Sequence, residues 1–133
     1  MKLPKKIKKV TYKQAKAKAW KAFSEYIRRK DADANGFVKC YTCNNRAFWK
    51  EMQAGHGIGG RSNAVFFLEA IVKPQCKGCN IFKRGNYTVF TKNLIKEIGL
   101  DEYEEIEAVA KEIVKYTISD LLELERWYSS QIK

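Results

Sequence analysis

The sequence predicts a small α+β domain in which a metal staple closes a central strand-bearing segment, with a basic helix before it and further helices after it. Three observations predict it. Cys40-Tyr41-Thr42-Cys43 and Cys76-Lys77-Gly78-Cys79 are thiol pairs with the same two-residue gap, so a single tetrahedral zinc would close the long stretch between them as a loop. Apolar residues recur at helical spacing from Ala19 to Ile27 and again from Phe90 onward. Between these regions, short apolar runs bounded by turn formers suit strands.

A chain of 133 residues suits one domain whose modest core gains from a metal. The expected organisation is a flexible basic arm over 1–10 and a single domain over 11–133. That domain divides into a basic helix over 11–30, a zinc-bound core over 37–87 and a helical part over 88–133. With 26 Lys and Arg against 15 Asp and Glu, the formal charge is +11, so a polyanion is the natural partner. Solvated lysines on a soluble protein would give the same number, and the motifs must decide. Paired cysteines without a signal-like apolar stretch favour a reducing compartment and metal binding over disulfides. No run approaches the roughly 18 apolar residues of a membrane span, so the expectation is a cytoplasmic protein without a membrane partner.

In order, the arm is dominated by Lys2, Lys5, Lys6, Lys8 and Lys9, a composition that does not order itself. Thr11 can cap a helix to about Lys30, with Ala19, Trp20, Phe23 and Ile27 on its apolar face and Lys16 limiting that face one turn before Trp20. Lys13, Lys18, Lys21, Arg28 and Arg29 make the rest a positive ridge opposed only by Glu25. Turn formers over Asp31 to Gly36 precede a strand over Phe37 to Tyr41, and a polar turn at Asn44-Asn45-Arg46 precedes Phe48 and Trp49. Met52 to His56 reads as the next strand and Ile58 to Asn63 as a flexible loop.

Phe66-Phe67-Leu68 and Ile71-Val72 supply apolar mass, while Pro74 discourages regular structure before the second thiol pair. A helix begins near Cys79. Lys77, Lys83 and Arg84 would offset the negative charge of a zinc held by four thiolates. Phe90, Leu94 and Ile98 mark a helix ended by Gly99, and Asp101 caps another carrying Tyr103, Ile106, Ala110 and Ile113. A last helix carries Ile118, Leu121, Tyr128 and Ile132. Seven glutamates, at 102, 104, 105, 107, 112, 123 and 125, make this half acidic. It should brace the basic half or meet a partner, not DNA.

Cys40, Cys43, Cys76 and Cys79 are the expected zinc ligands, and four sulfurs leave no coordination position for water, so the metal is structural. His56 is the only imidazole, and a lone histidine is ordinarily a surface or satisfied core residue. Gly55 beside it permits close backbone approach, and a neutral imidazole could take a proton from water attacking phosphorus. Asn80 can offer a carbonyl oxygen to a hard cation, Mg2+ or Mn2+, or can cap a helix. A carboxylate ligand is expected as well, with Glu51 and Glu69 the nearest candidates. Lys13, Lys21, Arg28, Arg29, Arg61, Lys73, Lys83 and Arg84 are the expected DNA contacts.

Phe23 through Asp33, Cys40-Tyr41-Thr42-Cys43, Ala54-Gly55-His56, Gln75 through Asn80 and Gly85-Asn86-Tyr87 together resemble the bacteriophage NinG (Rap) recombination proteins, from about Trp20 to Gly99. The resemblance implies an HNH-like ββα-metal core and a structure-selective endonuclease hydrolysing branched DNA such as Holliday junctions and D-loops. It implies His56 as general base, Asn80 as ligand of a catalytic divalent cation and the cysteines as ligands of a structural zinc, at work in a bacterial host's cytoplasm. The chain departs from the pattern at Gly55, where HNH sequences place an acidic ligand, and at Gln53, where an aspartate is frequent. Ile71 stands for the middle asparagine and Lys73 for a histidine. The alternative is a non-catalytic zinc-containing DNA-binding protein that positions recombination factors. A protein-interaction zinc module has the acidic half in its favour. Symmetric cutting at a junction would suit a homodimer joined through the carboxy-terminal helices.

Overall fold

The computed structural model describes residues 9–132, so the expected arm over 1–10 lies almost entirely outside the described residues. Helix α1, Tyr12–Arg29, starts at a capping box: Thr11 Oγ1 accepts from the Gln14 N–H at 3.2 Å, and Gln14 Oε1 accepts from the Thr11 N–H at 3.1 Å. It buries Ala15, Ala19, Ala22, Phe23 and Ile27 and leaves Lys13, Lys18, Lys21 and Arg29 of its basic ridge outside, as the periodicity requires, while Arg28 is half-buried.

Strands β1 (Phe37–Lys39) and β2 (Arg46–Phe48) form an antiparallel ribbon with Phe37 opposite Phe48 and Lys39 opposite Arg46. The first strand thus stops short of Tyr41, where the chain turns to aim the thiols. The second arises where only a turn was expected, because three residues carry too little pattern to announce a strand. Strands β3 (Gln53–His56) and β4 (Val72–Gln75) form a second antiparallel pair, with Gln53 opposite Gln75, Gly55 opposite Lys73 and His56 opposite Val72. Pro74 therefore sits inside a strand, against expectation. A two-stranded ribbon is all edge, where proline is tolerated, and its carbonyl accepts from the Tyr41 N–H at 2.8 Å.

After Cys76 the chain makes one π-type turn, Gly78–Phe82, closed by the Lys83 N–H on the Gly78 carbonyl at 2.9 Å, in place of a longer helix from Cys79. Helix α2 (Tyr87–Ile98) ends at Gly99, whose φ of 89° suits only glycine well. Helix α3 (Leu100–Val109) follows at once, so Gly99 and not Asp101 is its amino cap. It ends before Ile113, which is 92% exposed and belongs to no core. Helix α4 (Ile118–Gln131) begins with a second capping box, Thr117 with Asp120.

The main core gathers Phe23 and Ile27 of α1, Ala54 and Val72 of the second ribbon, Ile71, Phe90 and Leu94 of α2, Ile106 of α3 and Tyr128 of α4. α4 lies along α1, with Tyr128 edge-on to Phe23 at 4.9 Å. This is the bracing foreseen for the acidic half. A smaller core holds Val38, Cys40, Met52 and Cys79 under the first ribbon. Expected to be loose, the loop before Phe66 is instead tied to the α3–α4 connection. Ser62 Oγ donates to the Ala110 carbonyl at 2.7 Å, Asn63 Nδ2 donates to that of Val114 at 3.0 Å, and the Tyr116 hydroxyl donates to that of Asn63. Among the described residues no helix is long and apolar enough to cross a membrane.

Candidate metal centre and nucleic-acid interface

Cys40 follows β1, Cys43 closes the next turn, Cys76 follows β4 and Cys79 lies in the π-type turn. Their sulfurs all lie within 4.8 Å of one another, and those of Cys43 and Cys76 are 3.7 Å apart. A tetrahedron with Zn–S bonds of about 2.3 Å has edges of about 3.8 Å, so the donor set and spacing suit zinc. All four are free thiols. The Asn45 and Cys79 N–H groups each donate to a sulfur at 3.4 Å, Cys43 and Cys76 respectively, and Asn86 Nδ2 donates to Cys79 at 3.7 Å. Such donors favour thiolate. Burial and three neighbouring thiols push Cys43 up to about 12. Burial also acts to raise Cys40, but hydrogen bonds from Cys76 and Thr42 outweigh it and bring the thiol to about 6. Thiols this close cannot all ionise alone, whereas a dication replaces their protons together.

Gln75 is fully buried. Its Nε2 donates to Thr42 Oγ1 at 3.0 Å and to the Gly85 carbonyl at 2.9 Å, which turns Oε1 toward Gly55 with no donor to meet it. A Cβ at position 55 would lie 1.8 Å from that oxygen and 3.2 Å from Asn80 Oδ1, so only glycine permits this approach. Asn80 Nδ2 donates to Gln53 Oε1 at 2.7 Å. Three amides thus gather on one face of β3–β4. The side chain of Asn80 caps no helix.

Hard divalent ions are normally held through one or two carboxylates. Here the set is neutral, and one of its oxygens is sealed from solvent. Glu69 accepts from the Tyr128 hydroxyl at 3.1 Å and lies 4.0 Å from Lys30, while Glu51 is exposed near Lys50 and the Cys76–Gly78 segment. Ile71 is in the core, and Lys73 Nζ is 2.9 Å from Glu97 Oε1. Among the described residues the four cysteines are the one group of such side chains close enough to share a metal. The residues around Asn80 therefore do not fit a resident Mg2+ or Mn2+.

The pleat sends His56, at the end of β3, to the opposite face from Gln53 and Gly55. Its ring stacks on Trp20 at 5.1 Å and 18° and meets Phe66 at 4.9 Å. Nε2 is 3.0 Å from the Phe66 carbonyl, which can only accept, so Nε2 carries the proton and Nδ1 the lone pair. Burial lowers the His56 pKa and Arg61 lowers it further, against the Phe66 hydrogen bond. The ring is neutral at pH 7. No hydrogen bond joins His56 to Asn80: Asn80, in the Gly78–Phe82 turn, meets Gln53 on the Gly55 side of the strand pair, and the pleat turns His56 to the other side.

The expected DNA-contacting cations are spread over several surfaces. Lys13 and Arg61 line one hollow with Trp20 and Phe66, whereas Lys21 lines the α1–α4 groove beside Glu25 and Glu125. Arg28 is half-buried, with Nε donating to Ser24 and Nη1 to the Trp49 carbonyl at 3.3 Å. Arg29 lies over Trp49 and 4.0 Å from Glu25. Lys73 is matched by Glu97, and Lys83 and Arg84 are exposed beyond the π-type turn. The sequence reading missed Lys16, whose place one turn before Trp20 was the available signal, and Gln75, flagged only by its position before Cys76.

A family model described as the bacteriophage lambda NinG protein matches residues 2–133. The chain belongs to the NinG family. NinG proteins are phage recombination proteins, and the match extends the resemblance seen from Trp20 to Gly99 over nearly the whole chain. No curated protein and no solved structure matches the chain. In this NinG chain the thiol pairs meet in one cluster, while of the positions that depart from the HNH pattern Gln53 and Gly55 meet Asn80, Ile71 is in the core and Lys73 pairs with Glu97.

Proposed function

We propose that this protein binds branched DNA in phage recombination and positions other recombination factors, or a second copy of itself, there. In this reading zinc holds the first ribbon and the Gly78–Phe82 turn against β4, in an HNH-like ββα arrangement without a resident catalytic cation. The carrying observation is that Lys13, Lys16 and Arg61 gather at the amino end of α1 with no carboxylate pairing them among the described residues. Cations kept together without acids suit phosphates, and the net charge of +11 draws DNA to them. Anisotropy of a labelled four-way junction against salt tests it. Affinity should fall steeply, with a log–log slope of about −3 or beyond. Absence of junction binding at low salt ends this reading.

A second reading, hydrolysis of the junction, has one observation in its favour: His56 is neutral, with an unprotonated Nδ1, beside the same cations. Nδ1 would take the proton of the attacking water as the new P–O bond forms, the P–O bond to the leaving strand end breaks and its oxygen takes a proton from solvent, while Arg61 holds the phosphate. If so, His56→Ala abolishes cleavage and spares binding. A wild-type protein that binds and never cuts removes this reading.

A further inference from the structure

The amino-terminal half of α1, from Tyr12 to Trp20, and the segment carrying Arg61 and Phe66 flank an open hollow of about 370 Å³, within the range of about 300–1,000 Å³ usual for small-molecule sites. Its chemistry is uncommon. Lys16 Nζ lies 4.5 Å from the centre of the Phe66 ring, and the Arg61 guanidinium lies 5.5 Å from it. Two cations share one aromatic neighbour, and Lys16 is half-buried, held by Asn63 Oδ1 at 2.8 Å. Burial, and to a lesser extent the charge of Arg61, lower the Lys16 pKa.

Among the described residues no carboxylate pairs with either cation. The first turn of α1 has no acid and is capped by neutral Thr11 and Gln14, so the positive end of the helix dipole adds to the same field. The opening is aromatic: Tyr12 is 41% exposed and Trp20 partly so. The loop side is rigidly placed by the Ser62 and Asn63 bonds to the α3–α4 connection.

We propose that this hollow takes one unpaired nucleotide of branched DNA, its phosphate between Lys16 and Arg61 and its base against Tyr12 and Trp20. The proposal rests on the DNA-binding reading above and adds what the protein recognises. Cations alone would serve any duplex backbone, whereas a base can reach aromatic faces only when it is out of its pair, as at a branch point or a strand end.

The test leaves the protein intact first. A labelled Y-shaped DNA carrying one unpaired nucleotide at the fork is compared, by anisotropy with the full chain, with the same DNA made abasic at that nucleotide. Wild type should prefer the intact nucleotide roughly tenfold. Tyr12→Leu, at an exposed position, should remove that preference, and Arg61→Gln should reduce the salt slope by about 0.7. Equal binding of intact and abasic DNA overturns the proposal while leaving DNA binding standing, as does a loss in Arg61→Gln that is the same for paired duplex. No binding of any DNA overturns both readings. Circular dichroism confirms that the variants are folded.

Discussion

Gly55 and Gln75 form a matched pair. The amide nitrogen of Gln75 is anchored twice, its oxygen is thereby aimed at Gly55, and the missing Cβ leaves that oxygen room. Gly55→Ala should cost about 1–3 kcal/mol in urea unfolding, the range for an overpacked interior. In the Gly55→Ala/Gln75→Ala double variant the two losses should fall short of adding. The pair also accounts for the absent acidic ligand, since any side chain at 55 collides with Gln75. His56 gives a second prediction at this scale. Its folded pKa lies below the ordinary 6.5, chiefly through burial, so the unfolded chain binds the proton more tightly. The stability this contributes is present above pH 6.5 and is lost as pH falls through the folded value. Melting of wild type between pH 7.5 and 5 should therefore drop more than that of His56→Gln. An NMR titration of the single imidazole should give a midpoint below 6.5.

Elements differ in what holds them. α1 and α4 share a packed aromatic seam and two capping boxes, so they stand on ordinary apolar burial. The first ribbon and the π-type turn have Val38, Cys40, Met52 and Cys79 buried beneath them, a small core half made of thiols, with Ala47 and Trp49 packed against it. Removing zinc with a tight chelator should lower the melting temperature by roughly 10 °C or more. Hydrogen exchange should rise first over residues 37–48 and 76–86 and last in α1. The same division explains what could be read in advance. α1, α2 and α4 were legible because 3.6-residue periodicity and a Thr or Gly boundary mark each, and the cysteines because their spacing is nearly a coordinate. β2, with three residues, and the strand through Pro74 were not legible, because pairing across the chain decides them and no local pattern does. His56 and Asn80 were legible as residue types, but their opposite facing depends on strand register and twist, which sequence order conceals.

The whole molecule joins a basic helix to an acidic helical part through one apolar seam, which leaves the positive charge of α1 turned outward. Neutral amides stand where a catalytic cation would need carboxylates, and on that ground the proposed activity is binding. One measurement tests that most directly: the zinc-loaded protein is incubated with a labelled four-way junction in Mg2+, Mn2+ or EDTA, and the products are resolved on native and denaturing gels. The account predicts a retarded junction in all three conditions with every strand intact. Strand scission in Mg2+ or Mn2+ that EDTA suppresses and His56→Ala abolishes would contradict it.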